Sequence, residues 1–238
     1  MAKSEQEKQK LEQKLKQKKT KRGKGKKNRK NKCENKDPLN LSLLGSNSNG
    51  LKAKLDSLKN NINIFNQPSC ILIQETKLRQ LGNIDLPGYQ VFQLNRSGEG
   101  GGLLSAIDIN LDPVLVGVGD DELELLVVQI KVGHLDVRVF NAYGPQEDDT
   151  AASLNFWHGL EKEIIKAKQE NCCILLEMDA NAKLESESRL SSGNGKYMQD
   201  MVNRQNLTVL NNSNLCKGRI TRHRITKNKE EKFILVCL

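Results

Sequence analysis

Cys172-Cys-Ile-Leu-Leu-Glu-Met-Asp-Ala-Asn-Ala182 is the stretch whose reading decides the fold. Five apolar residues, Cys172 to Leu176, are too few to span a bilayer and too unbroken for a surface strand with one wet face. The run therefore predicts a strand buried on both faces, as in an α/β core. It ends in Glu177, Asp179 and Asn181. Spaced by two, these side chains project to one side if the strand continues. Ligands and catalytic groups gather where core strands end, because the strand fixes the backbone while the loop opens to solvent. The plainer alternative is a strand that stops at a polar turn.

The same plan, a short apolar run ending in a carboxylate or amide, recurs along the chain. Leu39–Leu44 predicts a first strand, followed by the loop residues Gly45–Gly50. Leu51–Leu58 has helical spacing, with Asn49 or Gly50 near its cap. Pro68-Ser-Cys-Ile-Leu-Ile-Gln-Glu75 is a second strand with an acidic end. Gln90–Leu94, Leu103–Ile109, Val114–Val118, Glu124–Val132 and Leu135–Phe140 are β-like, the last two joined by a hairpin turn at Gly133-His134. Asn141-Ala-Tyr-Gly-Pro145 is then a polar turn at a strand end. Thr150–Lys168 predicts a helix with Leu154, Trp157, Leu160, Ile164 and Ile165 on one face and His158 off it. Ser186–Gly195 is loop, Lys196–Asn206 helix, Leu207–Leu210 strand, and Phe233–Leu238 a final strand after a basic polar loop. Gly98-Glu-Gly-Gly-Gly102 is no phosphate loop, since no Gly-Lys-Ser/Thr follows; a turn or a close backbone approach is its expected use.

Charge divides the chain in two. Of 38 Lys and Arg and 29 Asp and Glu, residues 1–36 hold 16 and 4, a net of +12, which leaves 22 and 25, a net of −3, for the rest. The basic balance thus belongs to a tail, whose Lys/Gln/Glu/Asn composition favours disorder. Within it, Lys18, Lys19, Lys21, Arg22 and Lys24 form a cluster of nuclear-localisation or nucleic-acid-binding type. Such a cluster binds nucleic acid by releasing counterions, without sequence preference. A solvated tail with no partner is the competing reading. The six cysteines show no Cys-x-x-Cys pair, so neither a zinc site nor a disulfide framework is expected. Buried free thiols and the absence of a signal peptide predict a nuclear or cytoplasmic, non-secreted chain, and no apolar run predicts a membrane span. A monomer is expected.

Four motifs in order carry a resemblance. Ser46-Asn-Ser-Asn-Gly-Leu51, Ile73-Gln-Glu-Thr-Lys77, Asn141-Ala-Tyr-Gly-Pro145 and Met178-Asp-Ala-Asn181 resemble the Asn-x-Asn-Gly-Leu, Gln-Glu-Thr/Cys-Lys, Asn-x-Tyr-x-Pro and Gly-Asp-x-Asn motifs of the endonuclease/exonuclease/phosphatase superfamily, which has the fold of pancreatic deoxyribonuclease. The flavour is that of the endonuclease domains of non-LTR retrotransposons, which resemble apurinic-site endonucleases. The likeness implies a four-layer α/β sandwich over residues 39–238 and a Mg²⁺-dependent endonuclease acting on DNA, with Mn²⁺ as an alternative ion. It implies Glu75 and Asn47 as metal ligands and Asp179 as the residue that orients or activates water. Asn47, Tyr143 and Asn181 would hold the scissile phosphate. One or two carboxylates among amides suit Mg²⁺, which takes oxygen ligands and keeps several waters.

Two departures qualify the likeness. Met178 stands where the family has Gly. The family's closing Ser-Asp-His has no counterpart: Phe233–Leu238 resembles the late strand without its Asp, and none of His134, His158 or His223 follows Ser-Asp. The expectation is therefore a sandwich missing its last strands, with activity lowered by about 10²–10⁴-fold for the absent group. His223, Arg222 and Arg224 are expected in a basic loop facing nucleic acid. A non-catalytic nucleic-acid-binding remnant and a phosphoinositide phosphatase of the same fold are the alternatives.

Overall fold

A computed structural model describes residues 41–79, 84–96, 100–146, 150–182, 193–210, 222–226, 229–233 and 236–237. The lysine and arginine cluster of residues 18–24 lies outside them.

The first sheet holds β1 (Leu43–Asn47), β2 (Cys70–Gln74), β3 (Tyr89–Leu94) and β4 (Leu103–Asp108) in the order β1-β2-β4-β3. The second holds β5 (Val114–Val118), β6 (Leu125–Val132), β7 (Leu135–Tyr143), β8 (Cys173–Asp179) and β11 (Val236–Cys237) in the order β11-β8-β7-β6-β5. Each sheet is antiparallel except for one parallel pair, β1 with β2 and β7 with β8. The helices are α1 (Leu55–Ile64), α2 (Thr150–Gln169) and α3 (Gly193–Arg204).

Alternation along the strands explains the layering, because successive side chains point to opposite faces. Ile71 and Ile73 of β2 pack with Leu58 and Ile62 of α1, whereas Cys70 and Leu72 pack with Val128, Ile130, Val137 and Val139 of the second sheet. Leu125, Val127, Phe140 and Ala142 on the far side of that sheet meet Phe156, Trp157, Leu160 and Ile164 of α2 and Met198, Met201 and Val202 of α3. The order is helix, sheet, sheet, helices: a four-layer α/β sandwich.

Several boundaries differ from the sequence reading. β7 continues through Asn141 to Tyr143, past the expected turn, because the amide of Asn141 is fully satisfied inside. β8 is buried on both faces only over Leu176–Met178; Cys173 is exposed, so of the described thiols only Cys70 is buried. On α2, Phe156 and Ala167 complete the buried face, while Leu154 and Ile165 are 37% and 39% exposed. α3 begins at Gly193, inside the expected loop, and Leu207–Leu210 forms no strand. No side chain caps the helix after β1; Asn49 and Gly50 instead turn the chain with φ of +43° and +101°. Over its described residues the basic segment is strand where a loop was expected: Arg222 and Arg224 lie in β9 (Arg222–Thr226), paired antiparallel with β10 (Lys229–Phe233). Phe233 belongs to β10, and the described part of the expected final strand beyond it is β11, which pairs with Glu177 and Met178. Among the described residues no helix is long and apolar enough to cross a membrane.

Candidate active site

The inward-facing positions of four strands change from apolar to polar towards one end. In β1 they are Leu43, Gly45 and Asn47; in β2, Cys70, Leu72 and Gln74; in β7, Val139, Asn141 and Tyr143; in β8, Leu175, Glu177 and Asp179. These are the two parallel pairs, so all four polar ends are carboxyl ends and lie along one side of the seam between the sheets.

The deeper polar layer is closed to water. Gln74, Asn141 and Glu177 are each 0% exposed. Gln74 Nε2 donates to Asn141 Oδ1 at 2.7 Å and to Glu177 Oε2 at 2.5 Å. Asn141 Nδ2 donates to Leu104 O at 2.9 Å and Ser105 Oγ at 3.2 Å. Burial pushes the Glu177 carboxyl up to about 8, against the pull of the Gln74 hydrogen bond, with Asp179 adding to the rise. Gly45 has no side chain because a Cβ there would meet Glu177 Oε1 at 2.1 Å.

The outer layer holds the candidate site residues. Asn47 Nδ2 donates to Asp179 Oδ2 at 2.6 Å, joining the tips of β1 and β8. The Tyr143 hydroxyl donates to Glu75 Oε1, joining β7 to the residue after β2. Burial raises the Tyr143 pKa, and the Glu75 carboxylate raises it further, so the phenol keeps its proton. Asp179 Oδ1 accepts the Asn181 N–H at 3.2 Å, and Asn181 Nδ2 donates to Gly144 O at 2.7 Å. Asn47, Glu75, Tyr143, Asp179 and Asn181, five residues drawn from four motifs, are thus one cluster. Arg222 and Arg224 are placed only by their strand pairing. His134 sits in the β6–β7 turn and His158 is exposed on α2.

Three participants escaped the sequence reading. Lys77 stood inside a quoted motif, yet its role needs the fold: Nζ lies 3.8 Å from Glu75 Oε2 and 2.5 Å from Asn49 Oδ1. Asn194 accepts from Trp157 Nε1 at 3.1 Å and donates to Pro145 O at 2.7 Å, tying α2 and α3 to the loop after β7. Glu124 carried no signal beyond opening the expected strand Glu124–Val132, which begins one residue later. A cleft of about 1120 Å³ opens beside the cluster, lined by Glu75, Lys77, Arg96, Glu124, Tyr143 and Pro145 among others.

The donor chemistry fits a hard cation. One Glu75 oxygen is taken by Tyr143; the other, with Asn49 Oδ1, already faces a positive ammonium, that of Lys77. Among the described residues no three His, Cys, Asp or Glu side chains converge on one point. One carboxylate with amide oxygens, waters and a substrate phosphate is the set that Mg²⁺ accepts.

No protein-family model and no curated protein matches the sequence. Solved structures do match the fold. The endonuclease domain of TRAS1, a telomere-specific non-LTR retrotransposon, superposes with a TM-score of 0.55 at 18% identity over 83% of this chain and 84% of that one. The AP endonuclease LMAP from Leishmania major gives 0.58 at 16% identity, covering 70% and 67%. The 3′ phosphatase NExo from Neisseria, bound to product DNA hairpin, gives 0.52 at 17%, covering 69% and 71%. With two sheets face to face and helices outside them, the chain has a deoxyribonuclease I-like α/β fold, shared with these structures.

Proposed function

We propose that the chain is a Mg²⁺-dependent endonuclease of retrotransposon type that hydrolyses phosphodiester bonds in DNA. One observation carries the reading. Two hydrogen bonds, Asn47 to Asp179 and Tyr143 to Glu75, cross the seam and gather an acid, a base candidate, a phenol and amides beside an open cleft.

Glu75, with Asn47 or Asn49 supplying amide oxygen, would hold the ion. When bound, Mg²⁺ neutralises charge on a phosphate oxygen and helps align the attacking water. Asp179 is held by two N–H donors on separate oxygens, so a lone pair is fixed to accept a proton from that water. Its hydrogen bond makes Asn47 a positioning residue for Asp179 as much as a ligand. The Tyr143 hydroxyl, once turned from Glu75 Oε1, and the second N–H of Asn181 Nδ2 would donate to a phosphate seated over the cluster. The structural neighbours that process DNA support this substrate class.

The test is conversion of supercoiled plasmid to open circles by the purified chain with Mg²⁺. Nicking that stops with EDTA and with Asp179→Ala is expected. A rate no higher than that of Asp179→Ala rejects the enzyme reading. The net +12 of residues 1–36 favours a second role, salt-sensitive DNA retention by the tail. Deleting residues 1–36 should lower retention at low salt; equal retention removes the tail from the proposal.

A further inference from the structure

Glu75 and Lys77 have φ of +48° and +50°. Neither is Gly, Asn or Asp, and for such residues the left-handed region costs about 1–2 kcal/mol each. Something outside the segment must hold it there.

Holding contacts come from two sides: the Glu75 carbonyl accepts the Gly50 N–H at 2.8 Å and the Ser48 Oγ hydroxyl at 3.0 Å, and the glycine run before β4 holds the two residues that follow. The Thr76 N–H donates to Gly102 O at 3.0 Å and the Lys77 N–H to Gly101 O at 2.9 Å. Those glycines are themselves left-handed, at +61° for Gly101 and +89° for Gly102. Side chains would not fit: a Cβ on Gly102 would lie 2.7 Å from Thr76 Oγ1, and one on Gly101 2.5 Å from Glu124 Oε1. Glu124, just before β6 and 4% exposed, closes the arrangement. Its Oε2 accepts the Gly102 N–H at 2.7 Å, and its Oε1 pairs with Arg96 Nη1 at 3.0 Å. Burial raises the Glu124 pKa; the Gly102 N–H and Arg96 oppose that rise, and Asp121 and Glu75 add to it.

We infer that Glu124 is a positioning residue for the ion-binding carboxylate. It fixes the Gly101–Gly102 backbone, whose carbonyls pin Thr76 and Lys77, and so holds Glu75 in its left-handed turn against Tyr143. The inference rests on the reading of Glu75 as a metal ligand. A carboxylate held by a neighbouring strand loses less freedom when an ion binds, and partners that orient metal ligands are worth about 10–100-fold in affinity.

The experiment uses the full chain and two readouts. Mn²⁺ affinity is measured by electron paramagnetic resonance, and exchange of the Thr76 and Lys77 amide hydrogens by NMR. Glu124→Leu should weaken Mn²⁺ binding by about 10–100-fold and speed exchange at those two amides, while amides of Val128 and Phe140 stay protected. Glu124→Gln, which keeps an oxygen for the Gly102 N–H, should restore both. Gly102→Ala leaves the carboxylate in place but displaces the loop; it should weaken binding as Glu124→Leu does, and decides the matter if Glu124→Leu does not fold. Wild-type affinity in Glu124→Leu or in Gly102→Ala overturns the inference alone. Faster exchange without weaker binding also overturns it. Wild-type protein that binds no Mn²⁺ overturns both this inference and the metal reading.

Discussion

The two sheets present the same device in different mechanical states. In the second sheet Tyr143 and Asp179 are still regular strand residues, in register with each other at the end of the β7–β8 ladder. In the first sheet the strands end sooner. Asn49, Glu75 and Lys77 have left-handed backbones, and the β1–β2 contact persists only as single bonds, such as Gly50 N–H to Glu75 O at 2.8 Å. One half of the site is thus set by a ladder, whose geometry any β-former supports. The other half, like Asn181 just past the ladder at φ +45°, is held by contacts from outside the strands: the Gly50 N–H and Ser48 Oγ on Glu75 O, and the glycine carbonyls on Thr76 and Lys77. Left-handed strain clusters at functional positions when neighbouring structure over-determines it. The proposed chemistry divides along the same line, with water activation and the phenol on the ladder side and ion binding on the strained side.

The largest effect expected is on the ladder side. Asp179→Ala should lower the nicking rate by about 10²–10⁴-fold with little change in thermal unfolding, because the side chain lies outside the buried core and its strand stays paired. An equal loss of rate and stability would mean that Asp179 serves the fold, not the reaction.

Next in size is the buried layer beneath both halves. The Glu177 carboxyl is ordinarily at 4.5 and stands at about 8 in the folded chain. Its raised pKa means that the native state holds a proton which the unfolded state has released. The stability this gives is complete below 4.5 and is lost as pH rises through about 8. Wild-type stability should therefore fall across that window, by at most about 1.4 kcal/mol per pH unit. Glu177→Gln should flatten the fall in urea titrations at several pH values. Parallel slopes for the two proteins would show that Glu177 is ionised when folded.

The smallest effect isolates the strain. Lys77→Gly and Lys77→Ala both remove the ammonium, but only glycine accepts a φ of +50° freely. Urea unfolding should find Lys77→Gly the more stable by about 1 kcal/mol. The reverse order would mean that Lys77 is not left-handed in solution, and the contrast between the sheets would lose its basis.

The sequence was legible where a local pattern has one physical meaning. Val114–Val118 was read residue for residue, and Leu135 onward was recognised as strand, because apolar β-branched runs between turn residues have few other uses. Where it misled, tertiary partners had overruled composition. Asn141 reads as a turn residue, yet it is buried mid-strand because Gln74, Leu104 and Ser105 satisfy its amide. Leu154 reads as core, yet it turns outward while Ser153 turns in. The glycine run was correctly expected to allow close approach, but what approaches it, Thr76 and Lys77, could not be read from spacing.

The amino-acid order alone indicated most strands of the two sheets and the polar ends of four of them, because such information is local and repeats with the period of the strand; the choice of five candidate site residues came from the resemblance of four motifs. Only the tertiary structure decided that two parallel pairs from different sheets bring those ends to one seam. It alone paired Asn47 with Asp179 and Tyr143 with Glu75, and enlisted Glu124 and Asn194. The reason is distance along the chain. Asn47 and Asp179 are 132 residues apart, and no periodic pattern records a hydrogen bond that forms only after both sheets have closed on their common core.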